Sequence, residues 1–104
     1  MTQIFLNMAV NGMNVQAAVE APRFMSSSFP NSFYPHSYRP GVLQLERAIE
    51  PRVGEELSRL GHSIEWLQTY DAGAGAVCAI EVDPGTRTLS AGADMRRESY
   101  AIGR

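Results

Sequence analysis

A helix predicted between two strands, near the middle of the chain, constrains the fold most strongly. Pro51 suits the first turn of a helix, where its missing backbone N–H costs nothing, and Gly61 suits the position just beyond the helix end. Three apolar residues share one face of the helix predicted over residues 51–60: Val53, Leu57 and Leu60. Strands are predicted over residues 43–48 and 63–69. The chain therefore needs a fold in which helices pack on sheets.

Two more helices are predicted in the first quarter of the sequence. Residues 3–11 place apolar side chains at helical spacing, and Gly12 ends that pattern. Asn14 is a good N-cap for a second helix over residues 15–21, which Pro22 stops because proline disfavours helical geometry in the residue before it.

The last third of the chain predicts a hairpin, with strands over residues 76–82 and 87–93. In the turn between them, Pro84 presets one central residue and Gly85 can adopt a positive φ. Residues 23–40 mix serines and prolines with aromatic residues, among them Phe29, Phe33, Tyr34 and Tyr38, and predict a long loop packed on another surface. Together these elements predict one α+β domain over residues 1–104, with about four strands and three helices.

The charged residues exclude several functions. All nine basic residues are arginine, so mechanisms that need a lysine, such as Schiff bases and phosphate-loop lysines, are excluded. The net charge of −2 offers no electrostatic reason to bind nucleic acid or an anionic membrane surface. No apolar run approaches the roughly 18 residues of a membrane span. We therefore expect no nucleic-acid partner and no membrane span, while the compartment stays open.

Three segments, in this order, are similar to the γ-glutamyltransferase family. The run Gln3–Phe24 resembles a helix, glycine turn and second helix ending in Ala-Pro-Arg. Leu57–His62 resembles the leucine-rich helix end before a Gly-His pair, and Ala91–Arg97 resembles a near-terminal Gly-Ala-x-Asp-Pro-Arg. Met95 stands where the family usually has proline, and the segment after Arg23 lacks the histidine that many members carry. The chain is identified as resembling the C-terminal part of the family's small subunit.

This resemblance implies part of an N-terminal-nucleophile hydrolase fold of αββα layers. In that family, the precursor cuts itself to expose a threonine, whose hydroxyl attacks a γ-glutamyl carbonyl while its own α-amine acts as the base. The resemblance implies glutathione or another γ-glutamyl compound as substrate and the remainder of the enzyme as partner. The family's threonine, substrate-binding serines and glycine pair all precede the matching segment. We therefore assign no catalytic, cofactor-binding or metal-binding residue to this chain.

Other candidate residues have simpler structural interpretations. Thr2 would become N-terminal if Met1 were removed, but it leads into a helix rather than a strand. Ser26–Ser28 follows Ala-Pro-Arg, so its position does not match the family's substrate-binding serines. His36 and His62 lack metal-like partners at helical spacing. The segment Gly73–Gly75 precedes a strand, which predicts a tight turn instead of a phosphate-binding loop.

Cys78 and a charged cluster complete the set of candidates. Cys78 is the single cysteine, which excludes an intrachain disulfide, and its place in an apolar strand predicts a buried core residue. Asp94, Arg96 and Arg97 form the charged cluster, for which we expect structural pairing of Arg96 with Asp94 or with another part of the enzyme.

Three functional hypotheses remain. The first is a C-terminal segment of a γ-glutamyltransferase-like enzyme, inactive by itself and exposing apolar surface where the rest of the enzyme packs. The alternative is a stand-alone, non-catalytic interaction module that binds a protein partner through the aromatic residues between Phe29 and Tyr38. A third is an independent enzyme that uses Thr2 as its nucleophile.

Overall fold

A computed structural model describes residues 1–103 of the chain and confirms the α+β class, with three helices and five strands in two small sheets. The chain divides into two compact units: residues Met1–Ala21 together with the part from Gly75 onward, and residues Pro22–Ala74. We refer to them as unit 1 and unit 2. Whether residues 1–104 unfold as one domain stays a prediction.

The two helices of unit 1 lie where they were predicted, although α1 is shifted by one to two residues and α2 ends one residue earlier. Helix α1 spans Thr2–Ala9, and Gly12 follows it with a φ of 66°. Helix α2 spans Val15–Glu20, where the Asn14 side chain accepts a hydrogen bond of 2.9 Å from the backbone N–H of Ala17. This N-cap supplies a partner for a backbone donor that the helix itself leaves unpaired.

The hairpin of unit 1 is formed by β4, Cys78–Asp83, and β5, Thr88–Ala93, which pair antiparallel. One face of the hairpin lies against the helices. A small core joins the two layers and comprises the buried residues Ile4, Ala18 and Val19 with the partly buried Met8, Val77 and Ala79. Gly92 allows the closest approach, because a Cβ there would lie 3.0 Å from the carbonyl oxygen of Val15.

The hairpin turn differs from the prediction in one detail. Positive φ falls on Arg87, at 59°, and not on Gly85. The turn is held instead by Asp83, whose Oδ1 accepts hydrogen bonds from the backbone N–H groups of Gly85 and Thr86. Its Oδ2 accepts a third hydrogen bond from the Thr86 hydroxyl at 2.7 Å. An aspartate turn therefore sets the backbone where a glycine conformation was expected.

Unit 2 contains the predicted strand, helix and second strand. Strand β2 spans Val42–Glu46, helix α3 spans Pro51–Arg59, and strand β3 spans Ser63–Leu67. β2 and β3 are parallel, which requires the crossover that α3 provides. At Gly54, in the middle of α3, the helix approaches the sheet so closely that a Cβ would lie 2.5 Å from the Trp66 ring.

A fifth strand lies inside the segment predicted as loop. β1, Phe24–Ser26, pairs antiparallel with β2. The prediction of a loop over residues 23–40 was therefore wrong for the first residues of that range. The packing of this loop on another surface stays a prediction. Its aromatic side chains are exposed: Phe29, Phe33, Tyr34 and Tyr38. Short strands that depend on a distant partner leave little local signal, because pairing and not propensity forms them.

Candidate functional site

Thr2 lies at the first position of α1 and is exposed. An open depression of about 370 Å³ beside it is lined mainly by apolar side chains, including Ile4, Phe5 and Met8. A nucleophilic threonine needs donors that stabilise an oxyanion and a group that accepts its proton. The apolar side chains that line this depression supply neither, and in this structure Thr2 begins helix α1.

The serines after Arg23 stabilise the loop. Ser26 Oγ accepts a hydrogen bond from the backbone N–H of Ser28 at 3.3 Å, and Ser28 Oγ accepts one from the backbone N–H of Gly41 at 3.1 Å. The first bond is local, and the second joins the two ends of the segment. The serine hydroxyls therefore serve backbone geometry, as their sequence position suggested.

Both histidines are exposed. His36 has a φ of 58°, and its Nδ1 lies 2.9 Å from the backbone carbonyl of Asn31. His62 follows Gly61, which adopts a φ of 98° just after the end of α3. Within residues 1–103, no group of three or more His, Cys, Asp or Glu side chains could hold a metal ion. In the same residues, no helix is long and apolar enough to cross a membrane.

In the glycine-containing segment 73–75, Gly73 lies in a short 3-10 turn, Ala72–Ala74, and Gly75 follows it with a φ of 75°. Asp71 Oδ1 accepts the backbone N–H of Gly73 at 2.7 Å. A phosphate-binding loop needs such N–H groups to be available to the ligand. Here a carboxylate of the protein already occupies that position, which agrees with a tight turn.

Sequence reasoning missed Glu46, the buried acidic residue that ties unit 2 together. Its two carboxylate oxygens accept hydrogen bonds from the backbone N–H groups of Arg23, at 2.8 Å, and Asp71, at 3.0 Å. The Arg23 guanidinium in turn donates to the carbonyl of Ala74 at 3.4 Å. A carboxylate at the end of the apolar strand β2 was the available signal, because such a group is buried only when it has partners.

The Asp94–Arg96 pair is the equivalent element of unit 1. Arg96 Nη1 lies 3.1 Å from Asp94 Oδ1, and both side chains are fully shielded from solvent. Arg96 also donates to the carbonyls of Val19 and Ala21 at the end of α2, while Asp94 Oδ2 accepts the backbone N–H of Val77. The expected structural pairing is confirmed. It links α2 to the open end of the hairpin, where β4 begins and β5 ends.

Arg97, the third member of the charged cluster, is exposed beside this pair. Its exposure distinguishes it from the buried Asp94 and Arg96.

On unit 2, Arg39 forms an exposed ion pair with Glu65, and Gln44 adds a hydrogen bond of 3.2 Å to the same carboxylate. The hydrogen bond from Arg39 is the main cause that lowers the pKa of Glu65. This pair connects the loop to the exposed side of β3.

A shallow depression of about 520 Å³ lies beside α3. Trp66 and Ile64 form its apolar floor, and Arg47 and Glu55 contribute charged groups. Its volume falls in the range of small-molecule sites. The hydroxyl group of Ser58 also lines the depression, which therefore offers an apolar surface bordered by polar groups.

The prediction that Cys78 belongs to the core was wrong. Cys78 is exposed because its side chain points away from α1 and α2, on the face of the hairpin opposite to Ala79. Ile80, Val82 and Leu89 share this face and are 71%, 63% and 71% exposed. The apolar pattern of the strand identified side chains that favour burial, but it could not show whether another part of this chain packs over them.

Comparison with known proteins identifies relatives over the whole chain. The sequence profile described as gamma-glutamyltranspeptidase matches residues 1–104. A search of curated protein sequences finds no match.

Three solved structures illustrate the structural likeness. LmbA2991HD has a TM-score of 0.89 and 37% identity over 98% of this chain and 18% of that chain. A mutant γ-glutamyltranspeptidase from Helicobacter pylori has a TM-score of 0.70 and 26% identity, covering 93% of this chain and 46% of the other. A cephalosporin acylase from Bacillus halodurans has a TM-score of 0.71 and 29% identity, covering 90% and 15%. This chain thus spans less than half the length of each relative.

Proposed function

This chain belongs to the γ-glutamyltranspeptidase family, and we propose that it is the C-terminal segment of the small subunit of a γ-glutamyltransferase-like enzyme. In this proposal, the catalytic threonine resides in the preceding part of the enzyme. The chain contributes helices and sheet that support the site, while the complete enzyme transfers or hydrolyses γ-glutamyl groups of glutathione or a related compound.

The observation that carries the proposal is the combination of two coverages. The family profile extends over all of residues 1–104, yet the chain spans 18% of LmbA2991HD and 46% of the Helicobacter pylori chain. A segment that matches from end to end but represents a fraction of its relatives is expected to work as a part of them. The exposed apolar face of the hairpin supports the same interpretation, because unpaired apolar sheet surface is characteristic of an interface.

An activity comparison tests the proposal directly. The chain is expressed alone and as part of the longer polypeptide encoded in frame with it, and both are assayed for release of glutamate from glutathione. We expect turnover by the longer polypeptide alone. Turnover by the isolated chain would overturn the proposal, and its loss in Thr2→Ala would then assign the nucleophile to Thr2.

A stand-alone interaction module is the second candidate function, and the loop after β1 favours it. Phe29, Phe33 and Tyr34 are 78%, 80% and 91% exposed, while hydrogen bonds between Asn31 and Ser37 and between Phe33 and His36 close the loop. Exposed aromatic rings on an ordered loop are typical anchors of protein interfaces. Native mass spectrometry of material from the source cells separates the candidates. A folded species of 11.4 kDa without a larger γ-glutamyl polypeptide would favour the module.

A further inference from the structure

The two faces of the β4–β5 hairpin have different chemistry. The face toward α1 and α2 presents Ala79 and Gly92 to the helices. Nearer the turn, the same face continues with polar residues: Glu81, Asp83, Thr88 and Ser90. The helices therefore cover the apolar half of that face, and its polar half meets water.

The opposite face, which we call the outer face, is apolar along its length. It consists of Cys78, Ile80, Val82, Leu89, Ala91 and Ala93, which the strand register places in three cross-strand pairs. It carries no charged side chain, and its largest members, Ile80 and Leu89, are each 71% exposed. An antiparallel sheet with one solvated face normally alternates apolar and polar residues. This hairpin follows that alternation near its turn, where the outer face carries Ile80, Val82 and Leu89 and the helix-side face is polar and exposed. The outer face is therefore the one that the pattern marks for burial.

We infer that the outer face is the docking surface for the remainder of the same enzyme, which covers it with an apolar layer. This inference rests on the proposed function and names the surface through which the chain joins its partner. Most of LmbA2991HD and more than half of the Helicobacter pylori relative lie outside the part that this chain matches, so relatives carry the polypeptide that such a layer requires.

The size of the outer face argues against a second copy of the chain as its occupant. Two strands of six residues present a patch of roughly 10 by 20 Å, from strand spacings of about 4.8 Å and a rise of about 3.4 Å per residue. A stable dimer buries about 800 Å² on each partner. A patch of this size suits a contact inside one assembled enzyme, where neighbouring contacts share the task of holding the parts together.

Cys78 provides a built-in probe of this contact, because it is the single cysteine of the chain and lies on the outer face. Its alkylation by N-ethylmaleimide is followed by peptide mass spectrometry in the isolated chain and in the longer, active polypeptide. We expect the rate at Cys78 to fall by at least about tenfold in the longer polypeptide, since only local opening would then expose the thiol.

A cysteine on the other face of the same hairpin is the matched control. In Cys78→Ser/Ser90→Cys, the thiol moves to the polar, exposed part of the helix-side face. We expect similar rates for that thiol in both polypeptides. As a second variant, Leu89→Asp should leave the fold of the isolated chain intact but reduce the yield of active longer polypeptide, whereas Ser90→Asp should preserve that yield.

The outcomes separate this inference from the function on which it rests. An active longer polypeptide in which Cys78 reacts as fast as in the isolated chain would overturn the docking surface and leave the proposed function standing. Protection that appears in the isolated chain and increases with its concentration would assign the outer face to a second copy and overturn the inference. A longer polypeptide without γ-glutamyl turnover would overturn both.

Discussion

Replacement of Arg96 by leucine tests how strongly the buried ion pair stabilises unit 1. Arg96→Leu removes the donor to Asp94 and to the carbonyls of Val19 and Ala21. The Asp94 carboxylate keeps its hydrogen bonds from the backbone N–H groups of Val77 and residue 96, but it loses the charged guanidinium of Arg96 in a site that is 2% exposed. A buried charge without its partner retains its desolvation cost, so the variant should unfold much more easily than the natural chain.

The expected loss is about 3–5 kcal/mol, the range measured when one partner of a buried pair is removed. A small domain has a total unfolding free energy of about 5–15 kcal/mol, so this single change removes a large share. With a urea dependence of about 1–3 kcal/mol per molar, the unfolding midpoint should fall by at least about 1 M.

Arg59→Leu is the matched control. Arg59 pairs with Glu56 at 2.7 Å, a shorter distance than in the buried pair, but the two side chains are 70% and 60% exposed. Exposed pairs contribute about 0.2–1 kcal/mol, because water screens the charges and solvates each partner after separation. Comparing the two variants therefore separates the effect of burial on the free energy of unfolding from the effect of the distance between the charged groups.

Urea unfolding is followed by far-ultraviolet circular dichroism and by the fluorescence of Trp66, the single tryptophan, which lies in unit 2. Coincident transitions are what the single-domain prediction for residues 1–104 requires. Equal losses below about 1 kcal/mol in Arg96→Leu and Arg59→Leu would refute the argument from burial.

Two further changes test close packing and electrostatics. Gly92→Ala should cost about 1–3 kcal/mol, because the new Cβ would lie 3.0 Å from the backbone carbonyl oxygen of Val15, whereas Gly103→Ala, with no atom within 4 Å, should leave the urea midpoint unchanged. Arg39→Gln should raise the pKa of Glu65 toward its ordinary value in a carboxyl NMR titration, because the Arg39 hydrogen bond is the main cause that lowers it. Since the folded pKa is lowered, the stabilisation by this pair is present above the unfolded pKa and is lost as the pH falls through the folded pKa; an unchanged Glu65 titration in Arg39→Gln would contradict this assignment.

The sequence by itself determined the elements whose ends depend on neighbouring residues. Asn14 as a cap, Pro51 in the first turn of α3 and Gly61 after it are found where their backbone preferences place them. The two strands of the hairpin and the α+β class are also confirmed. The structural pairing of Asp94 with Arg96 was also predictable, because the two residues are close in the chain and carry opposite charges.

Only the tertiary structure decided which side chains are covered. An apolar strand predicts burial for Cys78, yet the side chain is exposed because α1 and α2 cover the other face of the hairpin. Glu46 looks like a surface residue in the sequence, yet it is buried by hydrogen bonds to Arg23 and Asp71, which lie about two dozen residues away on either side. Burial depends on what packs against a residue, and those partners come from distant parts of the chain, whereas caps and turns depend on a few adjacent residues.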